Sequence, residues 1–227
     1  MTKKEEWLAG TRSAVPIMLG YVPVGIAYGV MARQAGLNTW QTVLMSLTVY
    51  GGASEMMAAG MVAQGAAVLT IVLTTFILNL RHIIMSTCVF NQMQGGRLPV
   101  RMLAAFGVTD ETFAVYTTTA NAPRTPRYFF SMALCSYLSW ALGSWLGAIA
   151  TGLLPPLITA ALGISLYAMF IGLLMPGLHG NGRLAALVVL TALCNTVLCN
   201  VVQLDSGWSM ILSTLGCAAP GTIFVTS

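Results

Sequence analysis

The stretch YFFSMALCSYLSWALGSWLGAIATG (residues 128–152) contains no Asp, Glu, Lys or Arg. A helix needs about 20 mostly apolar residues to cross a bilayer, and this run is long enough to do so. Over the whole chain of 227 residues, 57% are apolar and only 7% are charged. A soluble domain typically carries about 25% charged residues, so this composition excludes an ordinary soluble fold. The chain is therefore expected to be an α-helical membrane protein.

Working outward from this run, eight apolar segments can be placed in the bilayer. They cover residues 14–32, 41–63, 66–90, 101–121, 128–152, 156–176, 184–204 and 208–225. Pro220-Gly221 interrupts the last segment and Asp110-Glu111 lies near the middle of the fourth, so seven full spans with one broken or re-entrant segment is an open alternative. The connections are short. We therefore expect one transmembrane domain over residues 1–227, an all-α bundle of seven or eight spans with one or more broken helices.

The charged residues at the ends of the spans do not fix the orientation in the membrane. Lys3, Lys4 and Arg12 precede the first span and favour a cytoplasmic N-terminus, whereas Arg97 and Arg101 oppose the same orientation. No small-residue cleavage site follows a short apolar core, so we expect the first span to stay in the mature chain.

Two segments, one in each half of the chain, are weakly similar in sequence. Residues 16–31 and 161–176 both mix small residues, a tyrosine and a proline in an apolar run. If the first three spans match the last three, the repeat is inverted, which is the architecture of many secondary transporters. Whether the chain contains an inverted repeat is left open.

Several functional classes are disfavoured by what the chain contains. The count of 5 cysteines is odd and no CxxC occurs, so neither a disulfide framework nor a zinc site is indicated. The net charge of +4 comes from basic residues scattered at span ends, where they suit lipid headgroups rather than nucleic acid. No phosphate-binding loop of the GxxxxGK[ST] type is present. We expect no cofactor, no metal and no nucleic-acid partner.

The first polar interruption is GYVPVG, residues 20–25. Pro23 removes a backbone donor, which predicts a kink or an unwound turn in the first span. Gly25 and Gly29 form a GxxxG pair that lets another helix approach closely. The segment is either a packing kink or part of a substrate path that includes Tyr21 and Pro23.

The second interruption is YGGASE, residues 50–55, near the middle of the second span. Unwound backbone at membrane depth is tolerated where it lines a cavity or is buried in protein. A half-helix beginning after Gly52 would present free N–H groups to a carboxylate ligand. We therefore predict that Tyr50, Gly51, Gly52 and Ser54 contact substrate. Glu55 is predicted to bind an amine or a proton, with small-residue packing as the alternative.

The remaining two interruptions are NLRH, residues 79–82, and TDET, residues 109–112. Asn79 is a predicted substrate contact, and Arg81, His82, Asp110 and Glu111 are predicted members of a charge or proton relay. Arg81 and His82 can instead lie at the headgroup boundary. Glu55, Asp110 and Glu111 are three acids at possible membrane depth, and Arg81 is the one certain cation there. This excess of carboxylates favours a proton relay or a water-filled substrate cavity over a passive structural protein. The adjacent carboxylates point about 100° apart on a helix, so they are expected to face different partners. A further alternative is that the threonine or aspartate of this motif caps a half-helix.

Taken together, these segments resemble the AzlC/YgaZ family, the large subunits of branched-chain amino acid exporters. The resemblance rests on PxxxGYxPVGxAxG (Pro16 to Gly29), YGGASE, NLRH, TDET and YAMFIGLL (Tyr167 to Leu174), in family order over essentially the whole chain. The family usually has glutamine where this chain has Glu55, which leaves its substrate preference less secure. The resemblance implies a multi-pass protein of the cell inner membrane.

The function that the resemblance implies is export of small apolar amino acids by a secondary transporter, with no enzyme activity. It also implies a small membrane partner of the AzlD/YgaH type. Two GxxxG pairs, Gly25/Gly29 and Gly143/Gly147, leave room for such a partner. Two rival classes stay open. Ser54 and His82 could form the dyad of an intramembrane serine hydrolase, and broken helices with carboxylates also suit a small-solute channel.

Overall fold

The computed structural model describes residues 2–153, 178–204 and 206–226, with isolated positions between 155 and 175. These residues form helices and no strand, which confirms the all-α prediction. Most of residues 156–176 lie outside the described residues. This range holds one predicted span, the second of the two similar segments and the YAMFIGLL motif. The helices are α1 (Lys3–Gln34), α2 (Thr39–Val49), α3 (Gly52–Ala63), α4 (Val68–Asn79), α5 (Arg81–Gln92), α6 (Leu98–Phe106), α7 (Asp110–Thr118), α8 (Pro126–Ala150), α9 (Gly182–Asn200) and α10 (Ser206–Thr226).

Two long helices, α1 and α8, form the centre of the described fold. Each begins with a threonine N-cap: Thr2 forms a capping box with Glu5, and Thr125 accepts a hydrogen bond from the Tyr128 N–H. Proline follows at the start of α8, where its missing N–H costs nothing. The core of buried side chains lies along this pair, with Tyr28, Tyr128 and Phe129 almost fully enclosed.

The contact between α1 and α8 is set by glycine on both sides. A Cβ added to Gly29 would collide with the Ser144 carbonyl, and one added to Gly147 would collide with the Ile26 carbonyl. The Gly25/Gly29 and Gly143/Gly147 pairs therefore pack against each other, because only glycine lets the two backbones approach so closely. This corrects the expectation that these two faces are available to a partner subunit, since each is already covered by the other.

The spans predicted over 41–63 and 101–121 are both broken into half-helices, which confirms the prediction of broken helices. The first breaks at Tyr50 and Gly51, and the second between Gly107 and Thr109. The first span is not broken: α1 runs continuously through Pro16 and Pro23, so the unwound turn predicted at Pro23 is absent. Neighbouring helices can support a proline within a transmembrane helix.

Four helical segments of the described chain are long and apolar enough to cross a membrane: Lys3–Gln34, Val68–Gln92, Pro126–Ala150 and Gly182–Asn200. The count of seven or eight spans stays a prediction. The second of these segments contains α4 and α5, which meet at Leu80 with i to i−3 hydrogen bonds on both sides. Helix α9 has no buried residue, and its exposed aliphatic side chains suit contact with lipid.

Candidate functional site

The two helix breaks before α3 and α7 and the irregular turn at Leu80 before α5, together termed the three breaks, meet beside the α1–α8 pair. Residues from the break before α3, the break before α5 and the break before α7 line a single small cavity, together with one side chain from α1 and one from α8. The lining residues are Tyr21, Tyr50, Gly51, Gly52, Ala53, Arg81, His82, Thr109, Asp110, Glu111 and Trp140. The fold therefore brings together polar segments that lie far apart in the sequence.

The break before α3 is held by a buried carboxylate. Tyr50 ends α2 in the left-handed region, with φ of 47°, and Gly51 follows in an extended turn. Glu55 Oε1 accepts a hydrogen bond from the Gly51 N–H at 2.9 Å, and both Glu55 oxygens lie 3.3 Å from Trp140 Nε1. Because Glu55 is fully buried, these donors replace the water it would otherwise bind. Glu55 thus ties the broken span to α8.

The first turn of α3 lines the cavity. The first N–H groups of a helix have no acceptor inside the helix. Gly52 and Ala53 provide such groups, and both residues line the cavity. The N-cap residue, Gly51, has no side chain to accept from them. The cavity therefore has the positive end of a helix dipole on one wall.

The break before α7 presents two acids to different partners. Thr109 caps α7 and shares a capping box with Thr112, so the predicted cap is confirmed and the helix begins at Asp110. The Tyr21 hydroxyl donates to Glu111 Oε2 at 2.6 Å and lies 2.6 Å from Thr109 Oγ1. Glu111 is thereby joined to α1.

Asp110 points to the break before α5. Its Oδ2 lies 2.9 Å from Arg81 Nη2, and both side chains are partly exposed. Arg81 Nε is buried and has no hydrogen-bond partner within the described residues. His82 lies beside this pair in the cavity wall. The different partners of Asp110 and Glu111 match the expected divergence of adjacent carboxylates.

Most of the predicted site residues line the cavity, but four do not. Pro23 is exposed on α1, and Ser54, Glu55 and Asn79 are absent from the lining. Ser54 Oγ donates to the Gly51 carbonyl at 2.8 Å, so it stabilises the turn. Within the described residues no hydrogen bond joins Ser54 to His82, and the hydrolase dyad is therefore not formed in this structure.

Three lining residues were not among the predicted site residues: Ala53 and Thr109 lie within the predicted motifs, whereas Trp140 does not. Trp140 lies on α8, donates to Glu55, and packs edge-on against Tyr21 with ring centroids 5.4 Å apart. It sits in an apolar run without any helix-breaking residue, so it resembles core packing. The available signal is its indole N–H, which usually needs an acceptor when the ring is buried.

The cavity is small in this structure. Its volume is about 20 Å³, which is room for about one water molecule. Two cavity-lining residues hold buried donors without partners among the described residues, the Tyr50 hydroxyl and Arg81 Nε. The site thus has spare donors for an anionic group but must widen to admit anything larger than water.

The chain matches the family described as "AzlC protein" over residues 16–154. It belongs to the AzlC family. The matched range includes the three breaks and Trp140, which are the elements that form the cavity, so the family match covers the whole described site.

Relatives of the AzlC-family chain are membrane proteins. It is 33% identical to a membrane protein of Archaeoglobus fulgidus over 188 residues, 82% of each chain. It is 30% identical to the inner membrane protein YgaZ of Escherichia coli over 179 residues, 74% of this chain and 72% of the relative. It is 27% identical to the branched-chain amino acid transport protein AzlC of Bacillus subtilis over 157 residues, 66% of this chain and 61% of the relative. No solved structure gives a significant match. These findings confirm the predicted family and the membrane location.

Proposed function

We propose that this protein is a secondary transporter that exports branched-chain or similar apolar amino acids across the bacterial inner membrane. The observation that carries the proposal is the meeting of three helix breaks at one cavity, where donors and carboxylates stand on different walls. Broken helices with their termini at a central site are typical of secondary transporters. The name of the Bacillus subtilis relative, a branched-chain amino acid transport protein, supports the substrate class.

An amino acid zwitterion is complementary to these walls. Its carboxylate would lie against the first turn of α3, at the N–H groups of Gly52 and Ala53, with Arg81 Nε as a further donor. Its ammonium would lie against Glu111, whose carboxylate is already oriented by Tyr21. The two ends of the zwitterion would then tie the break before α3 to the break before α7.

Transport requires the small cavity to widen. An amino acid does not fit into about 20 Å³, so the half-helices have to separate on one side of the membrane at a time. The Arg81–Asp110 ion pair joins two of those half-helices and is partly exposed, so it can break and re-form during this movement. We propose that Asp110, with His82 and Arg81 beside it, couples the movement to proton transfer.

A small partner subunit of the AzlD/YgaH type is part of the proposal. The GxxxG faces are occupied, so the partner would pack elsewhere. The described chain offers exposed apolar side chains on α4 and α9 for lipid and for a partner, including Val72, Phe76, Val189 and Leu193. We also propose that residues 1–227 form a single transmembrane transporter domain, since the connections between the predicted spans are short.

The test is transport of labelled valine, leucine, isoleucine and methionine in proteoliposomes, with and without the partner and a pH gradient. We expect saturable movement that shows counterflow and responds to the gradient. Ohmic current without counterflow would identify a channel instead. Absence of movement of all four amino acids under every condition would refute the proposal.

A further inference from the structure

A second, apolar pocket adjoins the polar cavity. Its volume is about 230 Å³, and its walls are formed by α6 and α8. The lining includes Leu103, Ala104, Phe106, Ala133, Leu134 and Tyr137. Tyr50 lines both this pocket and the polar cavity, so its side chain stands at the boundary between the two.

The position of Tyr50 is unusual in two respects. Its backbone has φ of 47°, a left-handed conformation that a bulky residue adopts at a cost and that is often retained at functional sites. Its ring packs edge-on against Tyr137, with centroids 4.9 Å apart, and lies 5.9 Å from the ring of Phe106. The Tyr50 hydroxyl is buried, and no hydrogen bond of normal geometry satisfies it among the described residues. Rotation of this ring would separate its contacts with Tyr137 and Phe106 and its interaction with the Tyr21 hydroxyl, but would break no ion pair.

Building on the proposed function, we propose that the apolar pocket binds the aliphatic side chain of the transported amino acid, and that Tyr50 is the divider that moves to admit it. The polar cavity alone holds about one water molecule, so the side chain needs adjoining space. The pocket supplies that space beside Tyr50, which also lines the cavity proposed to bind the zwitterion. Its walls are apolar and aromatic, which suits an isopropyl or isobutyl group.

A larger apolar space on the other side of the cavity is less suitable. It has a volume of about 450 Å³, lies between α4, α5 and α10, and meets the polar cavity at Arg81. Opening a path there would displace Arg81, which is paired with Asp110 at 2.9 Å. Displacing Tyr50 breaks aromatic contacts and an interaction with Tyr21, but no ion pair. The geometry therefore favours the pocket beside Tyr50.

The proposal makes Leu103 a residue that determines specificity. Leu103 is 58% exposed and forms the rim of the pocket, so a larger side chain there should narrow the pocket without disturbing the buried core. Its neighbour Met102 on the same helix is 66% exposed and does not line the pocket. Leu103→Trp and Met102→Trp therefore form a matched pair, with Leu134→Ala as a variant that enlarges the pocket.

The experiment compares leucine with valine transport in proteoliposomes of wild type and these variants. One methylene group in an apolar pocket commonly changes selectivity by about tenfold or more. We expect Leu103→Trp to lower the leucine-to-valine rate ratio by about tenfold, Met102→Trp to keep the wild-type ratio, and Leu134→Ala to raise phenylalanine transport relative to valine.

The outcomes separate this proposal from the proposed function. If wild type transports leucine and valine but Leu103→Trp keeps the ratio of Met102→Trp, the pocket does not hold the side chain, and lipid or the partner subunit fills it instead. An equal fall in both rates overturns the proposal in the same way. If wild type moves no amino acid, the proposed function itself fails.

Discussion

Arg81 and Asp110 form an ion pair with a nitrogen–oxygen distance of 2.9 Å, and this pair joins the first residue of α5 to the first residue of α7. The side chains are 35% and 27% exposed, so the pair is not enclosed by the protein. The pair can therefore separate and re-form while the half-helices that it joins move.

The first prediction concerns proton coupling. In Asp110→Asn the group that is proposed to exchange a proton is lost, while the wall formed by the first turn of α3 and Glu111 is retained. We expect transport driven by a pH gradient to be abolished and leucine binding to persist. The measurement is gradient-driven uptake together with equilibrium binding of labelled leucine. Unchanged proton dependence would remove Asp110 from the relay.

The second prediction concerns the orientation of Glu111. Tyr21→Phe removes the hydroxyl that donates to Glu111 and contacts Thr109. A hydrogen bond to a charged group contributes about 1.5–3 kcal/mol, so we expect the leucine transport rate to fall about tenfold or more. The control is Tyr28→Phe, since Tyr28 donates to the Thr42 carbonyl away from the cavity. Equal rates in the two variants would show that Tyr21 does not orient the site.

The third prediction concerns the α1–α8 scaffold. Gly147→Ala places a methyl group against the backbone of Ile26, and overpacking of this kind commonly costs about 1–3 kcal/mol. Gly20→Ala lies on α1 with nothing within 4 Å of the added methyl group. We expect a lower melting temperature for Gly147→Ala and no loss for Gly20→Ala in the same detergent. A wild-type melting temperature for Gly147→Ala would contradict the close contact.

The fourth prediction separates the structural role of Glu55 from a role in proton transfer. The oxygen of a glutamine can accept from both Gly51 and Trp140, as Glu55 Oε1 does. Glu55→Gln is therefore expected to keep stability and transport near wild type. Glu55→Leu leaves two buried donors unsatisfied and is expected to cost about 2 kcal/mol or more in thermal unfolding. Loss of proton coupling in a stable Glu55→Gln protein would place Glu55 in the relay after all.

Much of the site could be predicted from the sequence because polar and helix-breaking residues are costly inside a membrane. YGGASE, the Arg81 region and Asp110-Glu111 stand out for this reason, and all three contribute to the cavity. The same reasoning was wrong about unwinding at Pro23, since α1 continues through the proline. A kink at that position stays a prediction.

The rest of the site could not be predicted from the sequence, because it depends on which helices pack against each other. No local sequence pattern identifies those pairs. A GxxxG pair shows that some helix approaches closely, but not which one. Nothing in the sequence around Gly29 identifies Gly147 as its counterpart. Leu103 carries no signal of its own, since apolar residues in apolar spans are ordinary. Trp140 offers only an indole N–H that needs some acceptor, which does not identify Glu55. Their places beside the cavity and in the pocket follow from tertiary packing alone.

The central claim is that the cavity where the three breaks meet binds the amino acid, and ligand-induced stabilisation tests it most directly. A ligand that binds only the folded protein raises its melting temperature, and saturation at about 100 times Kd contributes about 2.7 kcal/mol. Glu111→Gln removes the acid proposed to bind the ammonium but keeps an acceptor for Tyr21. Its control is Glu6→Gln, since Glu6 pairs with Arg127 outside the cavity. We predict that leucine stabilises wild type and Glu6→Gln but not Glu111→Gln; equal stabilisation of all three by leucine would contradict the account.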